Sequence, residues 1–116
     1  MAIKLPRGTT YNYKVVYKKN GIAATLVGAT IFFTAKAVEF DNDLTDASAV
    51  ILKTITTHTD AVNGLSTVIL TPSDSLNLSP TIEYSYDCKV KEAGGDIYKL
   101  DEGKLVIDGS PTNRLA

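Results

Sequence analysis

The chain has 116 residues, 12 basic and 13 acidic side chains, a single His, a single Cys and no Trp. A chain of this length folds as one domain and buries roughly two thirds of the surface its unfolded form exposes, so a core forms without metals or disulfides. The lone Cys88 excludes an intrachain disulfide framework and a Cys-rich zinc cluster. Near-balanced charge, scattered rather than blocked, gives no electrostatic footprint for nucleic acid or anionic lipid, so neither nucleic acid nor a membrane is expected as a partner. No stretch approaches the roughly 18 consecutive apolar residues of a membrane span, and residues 1–10 carry Lys4 and Arg7 without the apolar run of a signal peptide.

Thr, Val, Ile and Tyr are plentiful where strong helix formers are sparse, which predicts a β protein. Over 11–18, Tyr11, Tyr13, Val15 and Tyr17 alternate with Asn12, Lys14, Val16 and Lys18, the period of a strand with one buried face. Asn20-Gly21 follows as a tight turn, because both residues tolerate positive φ. In 29–36, Ile31, Phe33 and Ala35 share one face while Phe32 and Thr34 share the other, and aromatics on both faces predict that the outer one is covered too. Residues 40–49, with Asp41, Asn42, Asp43 and Asp46, form a surface loop.

Strands over 49–56 and 65–71 flank a connection that holds His58 and the Asn63-Gly64 turn. Pro72 to Leu76 starts a single helical turn that Ser73 can cap. In 82–90, Ile82, Tyr84, Tyr86, Cys88 and Val90 face the core and Glu83, Ser85, Asp87 and Lys89 face solvent. Gly94-Gly95 turns the chain into 96–100, and a last strand covers 104–107 after a break at Glu102-Gly103. About seven short strands punctuated by turn signals predict an all-β, immunoglobulin-like antiparallel β-sandwich, with a partly open barrel as the alternative. It occupies 1–116 as a single domain with a short N-terminal arm (1–6) and a C-terminal tail (109–116).

Candidate chemistry is sparse. His58 lies in a Thr-rich segment with no second His and no nucleophile elbow, and is expected as an exposed loop residue. Cys88 falls on the buried face of its strand, where a thiol behaves as a small hydrophobe. The acidic loop at 41–46 begins like a calcium loop, but the turn Gly is missing at its sixth position and Leu52 stands where the bidentate Glu belongs, so a solvated turn is expected. The tyrosine stripe has the inward phase of a core rather than of a stacking platform. Tyr86, two residues before Cys88, stands where a tyrosine corner sits in an immunoglobulin-like domain. These readings predict no catalytic residue, no cofactor and no metal, and hence a protein that is not an enzyme.

Several segments occur in the order seen in one known group. They are Arg7-Gly8-Thr9 before the Tyr11 strand, Lys19-Asn20-Gly21, Leu26-Val27-Gly28-Ala29-Thr30-Ile31-Phe32-Phe33, Leu70-Thr71-Pro72-Ser73-Asp74, Tyr84-Ser85-Tyr86-Asp87-Cys88 and Tyr98 to Ile107. From about residue 7 to residue 107 the chain resembles phage and prophage immunoglobulin-like virion domains, including the N-terminal domain of phage baseplate upper proteins. It departs from that pattern at Thr9, where an acidic residue often follows the early Arg-Gly, and at Ser79-Pro80-Thr81, where a Gly often precedes the Tyr-x-Tyr-Asp strand.

The resemblance implies a non-enzymatic virion structural protein of a tailed phage, made in the host cytoplasm. In that reading it is an adaptor or accessory module of the tail or baseplate, joined to other virion proteins and to copies of itself in a symmetric assembly. Capsid decoration, a head fibre, or a carbohydrate-binding host-recognition module using Phe32, Phe40 and the acidic loop are the alternatives. Interface residues are expected on the arm (Met1, Ala2, Ile3, Lys4, Leu5), at the outward apolar positions Val16, Phe32 and Val68, and on the tail at Arg114 and Leu115. An arm donated to a neighbour would add a strand to it.

Overall fold

The computed structural model describes residues 2–109. In chain order its strands are β1 (Ala2–Pro6), β2 (Tyr11–Val16), β3 (Lys18–Lys19), β4 (Ile22–Ala23), β5 (Thr30–Ala37), β6 (Ile51–Ile55), β7 (Leu65–Leu70), β8 (Tyr84–Lys91) and β9 (Ile97–Asp108). One helical turn, α1 (Pro72–Ser75), lies between β7 and β8, and a 3₁₀ turn covers Val38–Phe40. The all-β class predicted from composition is the class observed.

Five strands form one sheet in the order β1-β9-β8-β5-β6, β2 pairs with β7, and β3 pairs with β4 around the Asn20-Gly21 turn. Asn20 and Gly21 both have positive φ (52° and 79°), as that dipeptide predicted. The inward residues of β2 and β7 pack onto one face of the large sheet. There the rings of Tyr13, Phe33 and Tyr86 meet with centroids 5.2 to 5.8 Å apart, in the offset and edge geometries that aromatic quadrupoles favour. Val15, Ile31, Val68, Leu70, Cys88 and Val90 complete the interior.

Several boundaries differ from the sequence reading. Residues 2–6 are not a free arm, because β1 runs parallel to β9 of its own chain, with Ile3 opposite Leu105 and Leu5 opposite Ile107. The expected break at Glu102-Gly103 is absent, and β9 is continuous. The irregularity lies at Leu100, an extra residue between Lys99, opposite Lys89, and Asp101, opposite Cys88, so a bulge accommodates what looked like an interruption. Ile82 precedes β8 and is exposed rather than inward.

The helical turn is capped from Asp74, not Ser73: its Oδ2 accepts from the Thr71 N–H at 2.6 Å and from the Thr71 hydroxyl at 3.0 Å. Tyr86 donates to Asp101, and a hydrogen bond back to the upstream backbone is made instead by Tyr84, whose hydroxyl accepts from the backbone N–H of Ser79 at 3.0 Å. Tyr84 starts the strand and lies beside the chain that enters it, whereas Tyr86 points between the sheets.

Candidate functional site

Two surface features and three polar clusters are candidates for function. The first feature is the outer face of the five-stranded sheet. Register sets its side chains in rows across the strands: Thr54, Phe32 and Lys89 in one row, Leu52, Thr34, Asp87 and Glu102 in the next, and Lys36 and Ser85 in the third. The segment that follows the 3₁₀ turn folds back over one end. The Lys36 ammonium donates to the Thr45 carbonyl at 2.9 Å and pairs with Asp46 at 3.3 Å, and the Ser85 hydroxyl donates to the Asp41 carboxylate. The result is a trough of about 790 Å³ with Phe32 half-buried in its floor. Aromatics on both faces of β5 foretold this partial cover, and Phe32 has the outward phase predicted for it.

The second feature is the seam between the sheets. Here β6, the last strand of the large sheet, lies beside β7, and a shallow groove of about 410 Å³ runs between Lys53 to Thr57 and the Thr67 and Ile69 side chains. Lys53, on the inward face of β6 opposite Phe33, closes one end by an ion pair to Asp74 at 2.8 Å. Burial alone would raise the Asp74 carboxyl, but Lys53 and the Thr71 donors outweigh it and hold the group below its ordinary value.

The polar clusters are bound up in the fold. The Tyr13 and Tyr86 hydroxyls both donate to Oδ2 of Asp101, at 2.5 and 3.1 Å, and Oδ1 accepts from the Glu102 N–H at 2.8 Å. Desolvation and the Asp101 charge raise both phenols, Tyr86 to about 12, and raise the Cys88 thiol to about 12. Cys88 is 0% exposed, so the predicted inert thiol is what the interior contains. On the surface, Glu92 takes the Tyr17 hydroxyl and the Lys19 ammonium, each at 2.6 Å, and Lys19 lies over the Tyr98 ring. The Lys19 partner holds the Glu92 carboxyl below its ordinary value.

His58 is a correction to the sequence reading, being partly buried rather than an exposed loop residue. Its Nε2–H donates to the Ala29 carbonyl at 2.8 Å, which leaves Nδ1 to accept the Ser66 hydroxyl, also at 2.8 Å. Both ring nitrogens are thus committed to joining the 56–60 connection to β7 and to the start of β5. The carboxylates of the acidic loop likewise turn to their own chain, Asp41 to Ser85, Asp43 to Ser48 and Asp46 to Lys36. Among the described residues no three His, Cys, Asp or Glu side chains are placed to hold a metal ion, and no helix is long and apolar enough to cross a membrane.

The expected interface residues divide sharply. Val16 is exposed as predicted, at 53%. Val68 is not: it is fully buried, and the outward residues of β7 are Leu65, Thr67 and Ile69. Ile3 and Leu5 are buried in their own domain, which leaves Ala2, Lys4 and Pro6 as the outward positions of β1. Met1, Arg114 and Leu115 lie outside the described residues. Leu52, Ile69 and Asp87 belong to the trough or the seam and were missed. The alternation Ile3-Lys4-Leu5 was the available signal for β1, while the trough needed knowledge of how 38–50 folds back. No protein-family model matches the chain, and no curated protein matches it.

Proposed function

We propose that this chain is a non-enzymatic, immunoglobulin-like building block of a tailed-phage virion, an adaptor or accessory module of the tail or baseplate that works through protein–protein contacts. The supporting observation is the seam. Two strands, β6 and β7, lie side by side at the margins of different sheets with Ile69 51% exposed next to the groove between them. An uncovered strand margin offers main-chain donors and acceptors to an added strand, and soluble monomers normally shield such margins. Other virion proteins or further copies of this chain are the partners in this reading, and the particle is its location. Capsid decoration is the second position the same surface serves.

The domain's interior also favours an assembly role over a catalytic one. His58 has both nitrogens in structural hydrogen bonds, and Cys88 is sealed among apolar side chains. A Tyr84 contact to the upstream Ser79 backbone and sheets that meet over an aromatic core support the immunoglobulin-like architecture. The test is peptide detection in gradient-purified particles made with the native protein or with Ile69→Lys. The surface change should alter stability by no more than about 0.5 kcal/mol. Native protein in the particle and a reduced amount of the variant are the expected results. Absence of the native protein contradicts the function, and equal incorporation of the variant contradicts the seam as its contact.

A further inference from the structure

We infer that the trough on the outer face of the five-stranded sheet binds an uncharged oligosaccharide, with Phe32 as the surface on which one pyranose ring stacks. Phe32 is the aromatic side chain that projects outward from the trough floor; Tyr86, which also borders it, is buried and points between the sheets. On either side the rows of the sheet supply Thr34 and Asp87 along one direction and Lys89 and Lys99 along the other. Strands about 4.8 Å apart set these groups close to the spacing of successive rings in a sugar chain. A sugar hydroxyl both donates and accepts, so it is matched by a floor that mixes carboxylates, hydroxyls and ammonium groups around one apolar plate.

Charge narrows the ligand further. Carboxylates outnumber ammonium groups along the trough, and its closed end carries Asp41, Asp43 and Asp46. That balance repels phosphates and uronates and suits a neutral polyol. A protein partner is disfavoured because the cores of protein interfaces are depleted in charged residues, whereas this floor is charged in each row that flanks Phe32. The volume, about 790 Å³, lies within the range of roughly 300–1,000 Å³ typical of small-ligand sites. The tethers from Lys36 to Thr45 and from Ser85 to Asp41 hold the rim in place before a ligand arrives, which limits the ordering cost of binding.

This inference stands apart from the assembly reading, because an isolated domain carries the whole trough. The test is an amide-resolved NMR titration of the full chain with neutral hexasaccharides, α-1,4-glucan, β-1,4-glucan, β-1,3-glucan and α-1,6-mannan, to millimolar concentration. At least one should give saturable shifts at residues 32–34 and 87–89. Phe32→Ala and Asp87→Asn should each weaken binding about tenfold, Phe32→Tyr should retain it, and Ile22→Ala, at an exposed position of β4 outside the trough, should leave it unchanged. The spectrum itself reports whether each variant is folded. No saturable shift with any of the four sugars, shifts confined to another surface, or full affinity in folded Phe32→Ala would overturn the inference.

Discussion

The Tyr13 hydroxyl on β2 donates to Oδ2 of Asp101 on β9 at 2.5 Å, a part-buried hydrogen bond that ties the two sheets together. Because Tyr86 donates to the same oxygen at 3.1 Å, one carboxylate satisfies two phenols that would otherwise be stranded between apolar layers. Tyr13→Phe should therefore lower unfolding free energy by about 1–2 kcal/mol. Asp101→Ala should cost more, since it leaves both phenols without their acceptor. Denaturant melts of the two single variants and the double variant check this, with a coupling of at least about 0.5 kcal/mol expected.

The same cluster sets the alkaline limit of the fold. Burial first, and then the Asp101 charge, raise Tyr86 from 10.0 to about 12 and raise Tyr13 as well, so the folded state prefers neutral phenols. A raised folded value means that the stability is fully present below pH 10.0 and is lost as pH climbs through the window up to about 12. Cys88, raised from 9.0 to about 12, adds a loss that begins one unit lower. Denaturation midpoints across this range should be flat and then fall, and Tyr86→Phe should flatten the fall. The Cys88 thiol should react with a disulfide reagent only as fast as the chain unfolds.

Gly64 has φ of 75°, and a Cβ there would press against the carbonyls of Tyr17 and Ala24. The Tyr17 carbonyl is already engaged by the Ala24 N–H at 3.0 Å, and the Tyr17 N–H donates to the Gly64 carbonyl at 2.8 Å, so the two segments are held against each other. Gly64→Ala should cost about 2 kcal/mol or more through combined backbone strain and steric conflict, whereas Gly94→Ala, in open space, should be close to neutral. Paired thermal melts distinguish the two positions.

The buried side chains of β1 make the N-terminal segment part of the core. Ile3 and Leu5 are 2% and 0% exposed, so Leu5→Ala should cost about 2–5 kcal/mol. Removal of residues 1–6 should unfold the domain instead of yielding a folded monomer without an arm. Circular dichroism of the truncated chain checks it, and a native-like, cooperative melt would contradict the packing described.

Strands with clean alternation were legible from the chain alone. In β8 and most of β2 the polar and apolar positions take turns, and Tyr13 and Cys88 lie inward as their phase requires. β7 was harder because Val68, Ile69 and Leu70 are three apolar residues in a row. Its inward face is Ser66, Val68 and Leu70, with Ser66 buried at 2% exposure and hydrogen-bonded to His58 of the connection that precedes the strand. The longer-range bond from His58 to the Ala29 carbonyl explains why His58 does not behave as a surface histidine. Phe32 was legible as an outward residue, but the trough around it depends on Lys36 reaching Thr45 and Ser85 reaching Asp41, contacts that no periodicity encodes.

The central claim is that the chain is a component of a virion, and copy number tests it most directly. Quantitative mass spectrometry of purified particles should find it in a small multiple of three or six per particle, far below the major capsid protein, as a symmetric tail or baseplate component requires. A number rivalling the capsid protein would move it to head decoration. Its absence from particles would contradict the claim.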